Sequence, residues 1–181
     1  MMFSLPDTVT VGNTEYKVRT DFRVILEIFV MLDDPDLTDA DRTEALLRMF
    51  YLDRPADPEA AVLAFSDFVD PRSSHKMEKP SSHPIINWEQ DFDLMIAPIN
   101  HILGTECRSL SYLHWRTFLS AYLEIPPESV FARVLRIREK LRSGKRLEKH
   151  ECAWYRRNLD LVDLHTKYSA AEEQILSAWT S

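Results

Sequence analysis

Thr20-Asp21-Phe22-Arg23-Val24-Ile25-Leu26-Glu27-Ile28-Phe29-Val30-Met31-Leu32-Asp33-Asp34-Pro35-Asp36 decides the fold class. Phe22, Ile25, Leu26, Phe29 and Leu32 recur at the three- and four-residue spacing of one helix face. Thr20 or Asp21 can cap that helix, and Asp33-Asp34-Pro35-Asp36 ends it. The same grammar repeats downstream. Thr38 caps a second helix with Asp41 at the third position, a variant capping box, and Ala45, Leu46, Met49 and Phe50 form its apolar face. Asp57-Pro58 opens a third, carrying Ala61, Val62, Phe65 and Phe68.

Upstream of Thr20 lies the one strong strand signal. Val9 and Val11 alternate with Thr8 and Thr10, Tyr16 and Val18 alternate with Glu15 and Lys17, and Gly12-Asn13 between them reads as a primed two-residue turn. A lone hairpin is marginal in water, so this one must pack on a helix or join another sheet. Beyond the third helix, Pro71 to Pro84 holds four serines, two histidines and three basic residues, with Met77 as its only strong apolar side chain. We read residues 71–86 as a flexible loop or linker.

Helix is expected again from about Asn87 to Leu103, with Trp88, Phe92, Met95, Ile96, Ile99 and Leu103 on one face. Pro98 inside it should kink or split it, and Gly104 fits the position just past its end. Ser111 is expected to open the next helix, Pro126-Pro127 to stop it, and Val130 to Leu141 to form another that ends at Gly144. A last helical stretch runs from about Leu147 to Trp179, in one or two pieces. The expected fold is mainly α: a multi-helix domain with a small N-terminal β-hairpin. Residues 1–70 form its first part and 87–181 its second, within one compact domain.

Composition narrows the function classes. Three glycines in 181 residues leave no Gly-rich phosphate loop and no dinucleotide fingerprint. Two cysteines make no disulfide framework and suit a reducing compartment. No apolar run approaches the roughly 18 residues that span a bilayer. Met1 to Pro6 has neither a basic region nor a long apolar stretch, so no signal peptide is expected and the cytoplasm is the expected location. The net charge of −7 hides a strong polarity. Residues 1–70 carry 6 basic and 15 acidic side chains, whereas residues 133–157 carry 10 basic and 3 acidic ones. Such a chain can pair its own halves, copies of itself or a charged partner.

Catalytic and metal constellations are not legible. The acidic run Asp33 to Glu44 fails the calcium-loop spacing in either register. His150-Glu151-Cys152 lacks the companion residues of a zinc site, and neither Cys107 nor Cys152 has a nucleophile's signature beside it. No catalytic, cofactor-binding or metal-ligating residue is assigned, and the protein is expected not to be an enzyme. Two segments could meet a partner. One is aromatic: Trp88, Phe92, His114, Trp115, Phe118 and Tyr122 read either as core or as a partner-facing groove. The other is basic: Arg133, Arg136, Arg138, Arg142, Lys145 and Arg146 read as a solvated face, a protein-binding face or a nucleic-acid contact. Nucleic acid is disfavoured because no aromatic platform is interleaved within 133–150.

Three blocks together resemble one family of tailed-phage proteins. They are Leu5-Pro6 with the hairpin leading into Thr20-Asp21-Phe22-Arg23; Asn87-Trp88-Glu89-Gln90-Asp91-Phe92-Asp93 followed by Ile96 and Ile99; and His114-Trp115-Arg116-Thr117-Phe118, then Tyr122-Leu123 and Leu135-Arg136-Ile137-Arg138. The pattern is similar to the phage family named after gene product fifteen, over roughly Leu5 to Asn158. The resemblance implies a phage or prophage tail morphogenesis factor, in the manner of a tail assembly chaperone that binds the tape-measure protein, and brings no catalytic residue or cofactor. Its partners would be phage tail proteins and further copies of itself, with no membrane. The alternatives are a minor structural protein of the tail, and a nucleic-acid-binding regulator using residues 133–157.

Overall fold

The computed structural model describes residues 4–70, 85–165, 167–172, 174 and 177. The stretch expected to be a linker lies outside the described residues from Pro71 to Pro84. Two strands, β1 (Thr8–Val11) and β2 (Thr14–Lys17), precede eight α-helices: α1 (Phe22–Leu32), α2 (Asp39–Phe50), α3 (Pro58–Val69), α4 (Trp88–Leu103), α5 (Trp115–Leu123), α6 (Val130–Arg142), α7 (Lys149–Arg157) and α8 (Leu159–Val162). A 3-10 turn, Cys107–Ser109, lies between α4 and α5. The mainly helical class with one N-terminal hairpin is therefore as the sequence predicts. The described residues cluster into two compact units: residues 4–70 with 112–117 and the described positions after 166, and residues 85–111 with 118–165.

In the first unit, β1 and β2 pair antiparallel with Val11 opposite Thr14, so Gly12-Asn13 is a two-residue turn. Gly12 has φ +60°, which a side chain would strain, and among the described residues no non-glycine residue has positive φ, so the turn is of the type with glycine first. The hairpin packs on α3, and an isolated bridge joins Val18 to Tyr51. Arg19 Nη1 donates to the carbonyls of Arg48, Met49 and Tyr51 at 2.9, 3.0 and 2.8 Å, which satisfies acceptors at the α2 C-terminus. Helix starts follow their caps. Asp21 accepts from Arg23 N, Thr38 and Asp41 close a capping box, and Asp57 Oδ1 accepts from Ala60 N. The buried faces meet in an aromatic core in which the Phe50 and Phe65 rings lie 4.9 Å apart and Phe29 and Trp115 5.8 Å apart, both edge-on.

Ser111 does not open a helix; α5 starts at Trp115. Residues 112–114 are instead extended against the entry to α1. Phe22 N donates to Leu113 O at 2.9 Å, Trp115 N donates to Thr20 O at 2.7 Å, and Asp21 bridges His114. Long-range backbone pairing wins over the local helix signal because it satisfies groups on both segments at once.

In the second unit, Asn87 Oδ1 caps α4 by accepting from Glu89 N and Gln90 N, and Gly104 ends it at φ +69°. Pro98 does not split the helix. Val134, Ile137 and Val162 form a buried cluster, with Leu94, Leu147, Trp154, Tyr155 and Leu161 packed around it. The last helical stretch comes in pieces: α7 and α8, then residues 163–165 and 167–169 that are not helical, then helical positions again at 170–172, 174 and 177.

Candidate partner-binding surface

One ion pair organises the second unit. Asp91 lies on the buried face of α4 and Arg138 on that of α6. Arg138 Nη1 donates to Asp91 Oδ2 at 2.6 Å and Nη2 to Asp91 Oδ1 at 2.9 Å, a bidentate fork. The remaining donors reach three carbonyls: Nε to Val162 at 2.6 Å, Nη1 to Ile85 at 3.0 Å and Nη2 to Leu161 at 2.9 Å. An arginine has five N–H donors, and all five are used. Asp91 Oδ2 also accepts from Asn87 N at 2.9 Å. Neighbouring Gln90 ties the same region together: its Nε2 donates to Asp163 O at 2.9 Å and its Oε1 accepts from His165 N at 3.0 Å. The pair is a saturated brace between α4, α6 and α8.

A second brace holds α7. Lys140 Nζ donates to Glu151 Oε1 at 2.6 Å, while Glu151 Oε2 accepts from Glu148 N at 2.8 Å. The Lys140 hydrogen bond, then the Glu148 N–H, holds the Glu151 carboxyl below its usual range. His150-Glu151-Cys152 is thus the first turn of a helix whose glutamate is engaged twice.

These braces sort the basic segment. Arg138 and Lys140 are neutralised inside the unit, and Arg142 bonds Glu139 on its own helix. Arg133 lies over the Trp154 ring, 5.3 Å from its centroid, and Arg136 donates to Pro127 O at 2.6 Å. Lys145, Arg146, Lys149, Arg156 and Arg157 are exposed and form no carboxylate ion pair among the described residues. Lys149, Ala153, Arg156 and Arg157 recur at i, i+4, i+7 and i+8, so they share one outer face of α7. On the other side of α6, Ile85, Leu141, Val162 and Leu164 line a shallow cleft of about 390 Å³, with Arg138, Arg142 and Asp163 completing its wall. Its apolar lining, with Arg142 at its wall, is a surface suited to a helical protein segment.

The aromatic candidates fare differently. Trp115 and Phe118 are fully buried and His114 nearly so. Trp115 Nε1 donates to Val69 O at 3.0 Å. His114 Nδ1 accepts from Arg116 N at 2.9 Å, so its Nε2 carries the proton and donates to Pro6 O at 2.9 Å. These side chains, with Arg138, are interior. Trp88 and Tyr122 are half-buried with ring centroids 5.6 Å apart, and Phe92 is half-buried. Burial, then the Asp91 charge, pushes the Tyr122 hydroxyl up to about 12. Of the twelve candidates, Arg133, Arg136, Arg142, Lys145 and Arg146 are exposed.

Asp91, Gln90 and Glu151 were given no role by sequence reasoning. Asp91 was nonetheless detectable: it falls in register with Trp88, Met95 and Ile99 on an otherwise apolar face, as Arg138 does with Val134 and Leu141. A charge on each of two apolar faces signals a buried pair. Among the described residues no group of three His, Cys, Asp or Glu side chains is placed to hold a metal ion, and no helix is long and apolar enough to cross a membrane.

A family model described as Bacteriophage Gp15 protein matches residues 2–164. That range contains both braces, the cleft and all of α7. No curated protein matches the chain, and no solved structure does.

Proposed function

The chain belongs to the bacteriophage Gp15 family, and from that premise we propose that it is a tail morphogenesis factor acting as a chaperone for the tape-measure protein. It works by binding, not catalysis, in the host cytoplasm. The observation that carries this reading is the family match over nearly the whole chain, joined to an open apolar cleft beside exposed cations on the second unit. The cleft receives apolar side chains of a helical client segment, and Arg142 with the neighbouring cations engages carboxylates at its rim. The braces fit this role because they hold the binding elements rigid before the client arrives, which lowers the ordering cost of association.

Co-expression with the neighbouring tape-measure protein tests it. A soluble complex is expected, and Leu141→Asp, at an exposed cleft position, should weaken it at least about tenfold, equal to roughly 1.4 kcal/mol. A tape-measure protein that stays insoluble and unbound would overturn the proposal. Mass spectrometry of purified particles separates the reading from a structural tail protein, since a chaperone is absent from the finished virion.

A further inference from the structure

We propose that the outer face of α7 binds the acidic turn between α1 and α2 of a second copy of this chain, so that copies associate head to tail. The cationic side of the contact is Lys145, Arg146, Lys149, Arg156 and Arg157, all exposed and without a carboxylate partner among the described residues. Like charges at this density repel one another, and four acids of the same unit are engaged elsewhere. Glu139 bonds Arg142, Glu151 bonds Lys140, Asp91 bonds Arg138, and Glu148 is 3.4 Å from His150. The face is therefore cationic by construction, and an anionic surface docking on it gains attraction with little internal pairing to break.

The matching surface is on the same chain. Residues 33–41 hold five aspartates, Asp33, Asp34, Asp36, Asp39 and Asp41, and no basic residue. Asp39 is fully exposed even with Arg42 alongside, and Asp36 and Asp41 are exposed. Exposed cations on and just before α7 thus have a counterpart in the exposed carboxylates of Asp36, Asp39 and Asp41, whose charge Arg42 offsets only in part. Two different patches meeting make a heterologous contact, which repeats from copy to copy and yields rings or open rows, not only dimers. Single-stranded nucleic acid is disfavoured on this face, because the Trp154 ring that could stack on a base lies under Arg133. Rows of copies would also multiply weak client contacts through avidity.

The test uses the purified full chain without client, so its failure is separate from failure of the chaperone reading. Sedimentation velocity from roughly 0.05 M to roughly 0.5 M salt spans the range where the screening length passes through about 10 Å. We expect mass at least double that of the monomer at low salt and monomer at high salt. A copy carrying Lys149→Glu, Arg156→Glu and Arg157→Glu should stay monomeric at low salt, as should one carrying Asp36→Lys and Asp39→Lys, each with an unchanged circular dichroism spectrum. Mixing the two should restore assembly, because each reversed face then meets its complement. A wild-type chain monomeric at every salt, assembly indifferent to salt, or no rescue on mixing would each overturn the proposal. Low-salt gel shifts with duplex DNA in place of assembly would do the same.

Discussion

At the scale of single residues, removing one partner of the Arg138–Asp91 pair should strongly destabilise the second unit. Both side chains are almost wholly buried, so neither charge can fall back on water if its partner is lost. Arg138→Met should cost about 3–5 kcal/mol, the usual penalty for leaving one buried charge uncompensated. Arg138→Lys should rescue little of this, since an ammonium has three donors and cannot fork across a carboxylate while also reaching Ile85, Leu161 and Val162. A double variant, Asp91→Leu with Arg138→Met, should recover part of the loss by removing both charges. It cannot recover all, because three carbonyls and the Asn87 N–H lose their partner. Urea denaturation of the three variants checks the order; if Arg138→Lys matches the wild type, the fork is not the source of stability.

At the scale of elements, helix ends obey local chemistry and two positions offer clean tests. Gly104 ends α4 at φ +69°, and a Cβ there would meet nothing within 4 Å. Gly104→Ala should therefore cost about 1–2 kcal/mol through backbone strain alone, not through a clash. Pro98 lies inside the same helix and provides no N–H for the carbonyl one turn back. Pro98→Ala should stabilise by about 1–3 kcal/mol in thermal unfolding; a neutral or destabilising result would show that packing around the ring outweighs the missing bond. The same locality explains what was legible in the sequence. Asp21, Thr38, Asp57, Asn87 and Gly104 mark their helix ends because each cap acts within three residues of itself. Residues 111–114 misled because their partner, Thr20 to Phe22, lies some ninety positions away and no local periodicity records it. The basic segment misled for a related reason. Arg138 belongs to the core only because Asp91, 47 residues earlier, waits on a facing helix. The neutralisation of Arg138 and Lys140 then leaves only part of the 133–157 stretch as exposed cations: Arg133, Arg136 and Arg142 on α6, Lys145 and Arg146 after it, and Lys149, Arg156 and Arg157 on α7.

At the scale of the whole molecule, burial in each compact unit holds back the ionisation of one tyrosine, and in the second unit a hydrogen bond to Asp163 also raises Tyr155. Tyr51 in the first unit donates its hydroxyl proton to Ala61 O at 2.7 Å. Burial, then the nearby Tyr16, pushes it up to about 12. Tyr122 in the second unit is pushed up to about 12 by burial and by the Asp91 charge. In the unfolded chain both hydroxyls ionise at the ordinary value near 10. Between about 10 and 12 the unfolded state therefore holds fewer protons than the folded one, so stability falls as pH rises through this window. Below about 10 both states are protonated and the contribution is fully retained. A spectrophotometric titration of phenolate absorbance, followed alongside helical circular dichroism, should show Tyr51 and Tyr122 among the six tyrosines ionising late and together with loss of helix, with Tyr155 also above the ordinary value. Tyr51→Phe should remove one late step and leave the other, because the two groups sit in different units. If all six tyrosines titrate together near 10 while the helices stay intact, the interior of neither unit excludes charge in the way this packing requires.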